Sequence, residues 1–134
     1  MEETSSRFTT EALVIKEMSV GENDRLVTLF TRDYGIIRAF AAGAKSIKSK
    51  KGTATSLLTY GSFTILKKKD TYKIYEATPI RLFFGAGSDI DVLALAQYFC
   101  ELCGVIVSSG VPDGDFLRLI LNSLHFLTKE KRYP

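Results

Sequence analysis

Along the first 80 residues of this chain, apolar positions come in short runs of β-forming residues broken by turn-like clusters; after that they take a helical spacing. Phe8–Met18 favours a strand and ends before Gly21-Glu22-Asn23-Asp24, a turn-forming cluster. Arg25–Arg32 gives a second strand, Asp33-Tyr34-Gly35 a short hairpin loop, and Ile36–Ala42 a third strand. Gly43–Ser56 has no hydrophobic period and reads as a loop or a short helix. Leu57–Lys67 and Thr71–Leu82 form a second hairpin around Lys68-Lys69-Asp70.

Five strands, split three plus two by a longer connection, suit a small barrel, because closure removes the edges that short strands would otherwise leave unpaired. The expected fold class is α+β: a five-stranded antiparallel barrel of the OB-fold type over residues 1–82, then an α-helical segment of two helices over residues 83–134. An SH3-like barrel is the alternative. The first helix is capped by Ser88 or Asp89 and runs to about Ser108, with apolar residues around nearly its whole circumference. The second starts near Asp113 and carries Phe116, Leu117, Ile120, Leu121, Leu124 and Leu127. Two such helices cannot bury each other completely. Either they pack hard on the barrel, or they are the incomplete start of a larger helical domain, which is the expectation here.

Hydrophobic residues make up 46% of the chain, enough for a packed core. The longest apolar stretch, Val92–Val107, is interrupted by Gln97 and Glu101 and falls short of the roughly 18 residues that suggest a membrane span. Met1-Glu2-Glu3-Thr4 is acidic and polar, unlike a signal peptide, so a cytoplasmic protein with no membrane partner is expected. Cys100 and Cys103 lie three apart in an apolar helical stretch, and His125 is the single histidine. A structural zinc usually takes four ligands, so the two cysteines are expected to be small buried thiols, with no cofactor or metal.

Net charge is only +3, but residues 1–80 hold 13 Lys and Arg against 9 Asp and Glu, whereas residues 81–134 hold 5 against 6. Much of the excess lies in Lys45–Lys51, with Lys45, Lys48, Lys50 and Lys51 in seven residues and no acid. Lysines interleaved with serine and flanked by glycine suit phosphate contact, and they also suit a solvated loop. If Ile37, Ala39 and Ala41 face the core, then Ile36, Arg38 and Phe40 face the other way. A cation beside an exposed aromatic is how single-strand binders combine charge with stacking, although Phe40 could instead pack under the loop or against the helices. Arg25 and Arg32 flank the second strand and could extend the patch, and an ion pair with Glu22 or Asp24 accounts for Arg25 equally well. Lys67-Lys68-Lys69 sits at a hairpin tip, where lysines often serve solubility alone. There is no P-loop, no GxGxxG, no Ser-His-Asp arrangement and no carboxylate pair spaced for acid–base work, so no enzyme is expected.

Thr10–Ile15, Gly21–Arg32, Tyr34-Gly35 and Arg38–Lys45, with Leu57-Leu58, Gly61-Ser62-Phe63 and Asp91–Tyr98, resemble the N-terminal domain of the RecO DNA-repair proteins. The joined pattern of GE-x-DRLVTLFTR, YG and RA-x-A-x-GAK carries the likeness. The resemblance implies an OB-fold followed by a helical domain, often with a zinc-binding cysteine cluster. It implies a recombination mediator and not an enzyme, one that binds single- and double-stranded DNA and anneals complementary strands. With RecR, such a protein helps RecA load onto DNA coated by single-strand-binding protein, whose C-terminal tail it contacts. On this resemblance Arg25, Arg38, Lys45, Lys48, Lys50 and Lys51 match the basic face of the family's barrel. The region of the zinc cluster is not expected in this chain, and Cys100 and Cys103 are not expected to stand in for it.

Overall fold

The computed structural model describes residues 5–45, 51–83, 89–107 and 111–130. Its elements follow the order β1 (Ser5–Val20), β2 (Asp24–Thr31), β3 (Gly35–Ala41), α1 (Lys51–Ala54), β4 (Thr59–Lys68), β5 (Thr71–Leu82), α2 (Ile90–Ile106) and α3 (Gly114–Glu130). The strands close into a barrel in the order β1-β2-β3-β5-β4.

β1 is longer than its apolar pattern suggested because it pairs twice. Its first half runs antiparallel to β4, from Ser5↔Lys68 to Leu13↔Tyr60. Its second half runs antiparallel to β2, from Ala12↔Thr31 to Val20↔Asp24. The register shifts between Val14 and Lys16, which leaves Ile15 unmatched where the strand passes from one partner to the other. A bulge of this kind bends a strand and increases its twist.

The expectation of a wholly antiparallel barrel is corrected at one seam. β3 and β5 run parallel, paired at Phe40↔Lys73. The reason is parity: five strands in a closed ring cannot reverse direction at every seam, so one neighbouring pair must run the same way. The crossover through α1 supplies that pair by bringing β4 in beside β1 and returning β5 beside β3.

The barrel interior is filled by alternate residues, among them Val14, Val27, Leu29, Ile37, Phe63 and Ile65. A second core lies outside the barrel, where Leu13, Ile15 and Phe30 meet Ala96, Cys100 and Cys103 of α2 and Leu117, Ile120 and Leu124 of α3. Burying Leu13, Phe30 or Leu117 contributes about 1.5–3 kcal/mol each. Both helices therefore pack on the barrel. Asp89 caps α2, its Oδ1 accepting from the backbone N–H of Asp91 at 2.8 Å and of Val92 at 3.2 Å. Asp113 does the same for α3, accepting from the N–H of Phe116 at 3.1 Å. Both helices still show apolar side chains to solvent: Tyr98 is 55% exposed, Val105 83% and Phe126 63%. Among the described residues no helix is long and apolar enough to cross a membrane.

Candidate nucleic-acid interface

The helices cover one side of the barrel and leave another open, and β3 crosses the boundary between them. Its residues alternate as expected: Ile37, Ala39 and Ala41 are buried inside. Of the outward residues, Ile36 packs into the core beneath the helices, whereas Arg38 is exposed and Phe40 is half-buried and joins neither core cluster. Arg38 makes no ion pair among the described residues. Cation and ring thus share the open face, two residues apart on a rigid strand.

β3 leads directly into the lysine segment, whose approach is tied to the β1–β2 turn. The Asp24 carboxylate accepts from the N–H of Gly43 at 2.7 Å, and the N–H of Lys45 donates to the carbonyl of Asn23 at 2.8 Å. Lys45 is exposed. On the far side of the segment Lys51 opens α1, and its Nζ lies 3.5 Å from the carbonyl oxygen of Ala42. Lys45 and Lys51 are therefore brought to one end of β3. Lys48 and Lys50 lie outside the described residues.

Arg25 is engaged within the protein. Its Nη1 donates to the Gly52 carbonyl at 2.7 Å and to Thr55 Oγ1 at 2.9 Å, and its Nε lies 3.2 Å from Glu17 Oε1. Only 19% of its side chain is exposed. The acid that pairs with it is neither Glu22 nor Asp24 but Glu17, across the β1–β2 ladder. Arg25 holds α1, which Lys51 opens, against the β1–β2 ladder through its Nη1 and Nε.

Three residues on the open face were not singled out by sequence pattern: Arg7, Lys73 and Tyr75, all exposed. Arg7 precedes the apolar run that marked β1, yet β1 starts at Ser5. Lys73 and Tyr75 belong to a strand whose neighbour across the parallel seam is set by the barrel's closure. The exposed Lys67, Lys68 and Lys69 lie at the β4–β5 hairpin, with Lys67 Nζ 5.7 Å from the Tyr72 ring centroid.

On the helix-covered side, Tyr60 donates to Glu11 Oε1 at 2.6 Å, and Glu11 also lies 3.8 Å from Arg32. Burial, reinforced by that hydrogen bond, pushes the Tyr60 phenol well above the ordinary tyrosine range. Burial pushes the Cys100 thiol up to about 12, with a smaller contribution from Cys103, and pushes Cys103 itself up to about 11. Both thiols are free and buried. Among the described residues no group of three or more His, Cys, Asp and Glu could hold a metal ion. A cleft of about 430 Å³ separates α2 from the β1–β2 ladder, with Lys16, Glu17, Gln97 and Glu101 among its lining residues.

Residues 2–83, the barrel, match the family model described as "Recombination protein O N terminal". Among similar proteins is the DNA repair protein RecO of Acetivibrio thermocellus, 35% identical over 93% of this chain and 50% of its own length. The DNA repair protein RecO of Clostridium novyi is 34% identical over 93% of this chain and 49% of its own length. The chain thus spans about half the length of these relatives. With the barrel matched over its full extent and the likeness continuing into the helices, this chain belongs to the recombination protein O family.

Proposed function

We propose that this chain is a non-enzymatic DNA-binding module of recombinational repair, and that its barrel is an OB-fold. It binds single- and double-stranded DNA through the open face of the barrel and needs no cofactor. In the whole protein this binding serves strand annealing and, with RecR, the loading of RecA onto DNA held by single-strand-binding protein, whose C-terminal tail is a further partner. Such a protein works in the cytoplasm, at the nucleoid.

The observation that carries this reading is Arg38 and Phe40, side by side on the uncovered part of β3, at the strand that leads into the lysine segment. The strand order, with its single parallel seam between β3 and β5, supports the OB-fold assignment. Candidate contacts are Arg38, Phe40, Lys45, Lys48, Lys50 and Lys51, with Arg25 holding α1 in place beside them in sequence.

If about four lysines meet phosphates, the affinity for single strands should fall with salt along a log–log slope near −3. Fluorescence anisotropy over a salt series measures this. A slope near zero, or one unchanged by replacing Lys45, Lys48, Lys50 and Lys51 with alanine, overturns the reading.

The exposed Tyr98, Val105 and Phe126 favour a second, compatible role for the helices in docking protein partners. A chain that stays monomeric in light scattering with no partner added counts against a large exposed apolar surface.

A further inference from the structure

The open face does not end at β3. Arg7 pairs with Leu66, Leu66 with Lys73, and Lys73 with Phe40, so one rung crosses four strands. Directly opposed residues of neighbouring strands share a face of the sheet. Phe40 points outward, because Ala39 and Ala41 on either side of it are buried within. Arg7 and Lys73 must then point outward too, and their neighbours Phe8 and Ile74 do pack with the barrel interior.

Beside this rung stands Tyr75. β4 pairs Thr64 with Glu76 and Ile65 with Ile74, so Tyr75 has no partner in the ladder and forms one of the two bulges of β5, the other being at Ile80. A bulge re-aims the side chain that it frees, and bulges recur next to functional sites. Here Tyr75 is 47% exposed, and the Arg7 guanidinium carbon lies 4.3 Å from its ring centroid. A ring already held by a cation has less rotamer freedom to lose when a base stacks on it. Three cations, Arg7, Arg38 and Lys73, surround the two rings Phe40 and Tyr75, and the neighbouring acid on this part of β5 is Glu76. Across a parallel seam, Tyr75 falls two residues beyond Lys73 toward the end of β3 from which Lys45 departs. Ladder spacing puts its Cα about 8 Å from that of Phe40.

We propose that Tyr75, held by Arg7, is a second base-stacking platform, and that single-stranded DNA crosses the β3–β5 seam from Phe40 onto it. This rests on the DNA-binding reading above and extends the contact surface onto β5 and the first residues of β1.

The test uses the whole chain and a labelled oligothymidylate, with a duplex for comparison. Tyr75→Ala should weaken single-strand binding about 5- to 100-fold and duplex binding far less, while Tyr75→Phe keeps wild-type affinity. The chain contains no tryptophan, so Tyr75→Trp installs a single reporter at the site. Its emission should be quenched when the oligothymidylate saturates the protein and should not change on the duplex. Should Arg38→Ala and Lys45→Ala lose affinity while Tyr75→Ala binds as wild type, or should Tyr75→Trp emission ignore bound single strands, the platform is wrong and the DNA-binding reading stands. If the wild-type chain binds neither DNA, both fall together.

Discussion

The guanidinium of Arg25, on β2, donates to the carbonyl oxygen of Gly52, in α1, at 2.7 Å. Bonds to Thr55 and the ion pair with Glu17 complete a clasp that fastens α1 to the β1–β2 ladder. Hydrogen bonds from a charged donor are worth about 1.5–3 kcal/mol, and removing this donor leaves the Gly52 carbonyl with Ser56 Oγ and the Glu17 carboxylate with the Leu57 N–H among their remaining partners. Arg25→Ala should therefore lower stability by about 2 kcal/mol in urea titration. Arg25→Lys should recover little, because an ammonium cannot reproduce the planar fork. At protein concentrations corrected for folded fraction, DNA affinity should fall less for Arg25→Ala than for Arg38→Ala. The reverse order would return Arg25 to the set of direct contacts.

Gly35 supplies a second structural test. It turns β2 into β3 at φ +70°, and a Cβ built there would collide with the Val111 carbonyl oxygen and lie 2.7 Å from the Val111 nitrogen. Both obstacles are backbone and cannot swing aside, so the hairpin and the start of the α3 approach are in direct contact. Gly21 has nearly the same φ, +63°, with nothing within 4 Å of an added Cβ. Gly21→Ala should cost about 1 kcal/mol, the conformational penalty alone. Gly35→Ala should cost at least about 2 kcal/mol more, because packed backbone must also separate. Equal thermal shifts for the two variants would show that the hairpin does not dock on Val111.

The relation between pattern and structure is clearest at the seams of the barrel. Alternation alone was enough to turn Ile37, Ala39 and Ala41 inward and Arg38 and Phe40 outward, because strand period is a local property. Thr71–Leu82 was legible to its end residues for the same reason. What local pattern cannot carry is which strands become neighbours. The parallel β3–β5 pair follows from closing an odd number of strands, and only that closure brings Lys73 beside Phe40. Arg7 was hidden because pairing with Leu66, Lys67 and Lys68 extends β1 three residues before its first large apolar side chain, Phe8. Arg25 was ambiguous because its acceptors, Gly52 and Thr55, lie 27 and 30 residues away in a segment without hydrophobic period.

The two cysteines make a prediction about reactivity. Their ordinary value is 9.0, and burial pushes Cys100 to about 12 and Cys103 to about 11. The folded state thus favours the protonated thiols. Their contribution to stability is fully present below pH 9 and is lost as pH rises through about 11 and then about 12. At pH 8 the native thiols should react slowly with a chromogenic disulfide reagent, since the thiolate is the nucleophile. In urea both should react at once. Fast labelling of two thiols in the native protein would show that α2 leaves the barrel readily.

Phe40 and Arg38 separate the two ways in which this face could hold DNA. A base stacked on Phe40 has to be unpaired, so Phe40→Ala should weaken single-strand binding by about 5- to 100-fold and leave duplex binding nearly unchanged. Arg38 offers charge, which both forms of DNA can use. Arg38→Ala should weaken both and make the salt slope shallower by about 0.7 for single strands and about 0.9 for duplex. Far-ultraviolet circular dichroism and urea midpoints should match the wild type in both variants, because neither side chain lies in a core cluster. Equal loss of single-strand and duplex affinity in Phe40→Ala, with a lowered urea midpoint, would make Phe40 a support for the strand and leave charge as the whole basis of binding on β3.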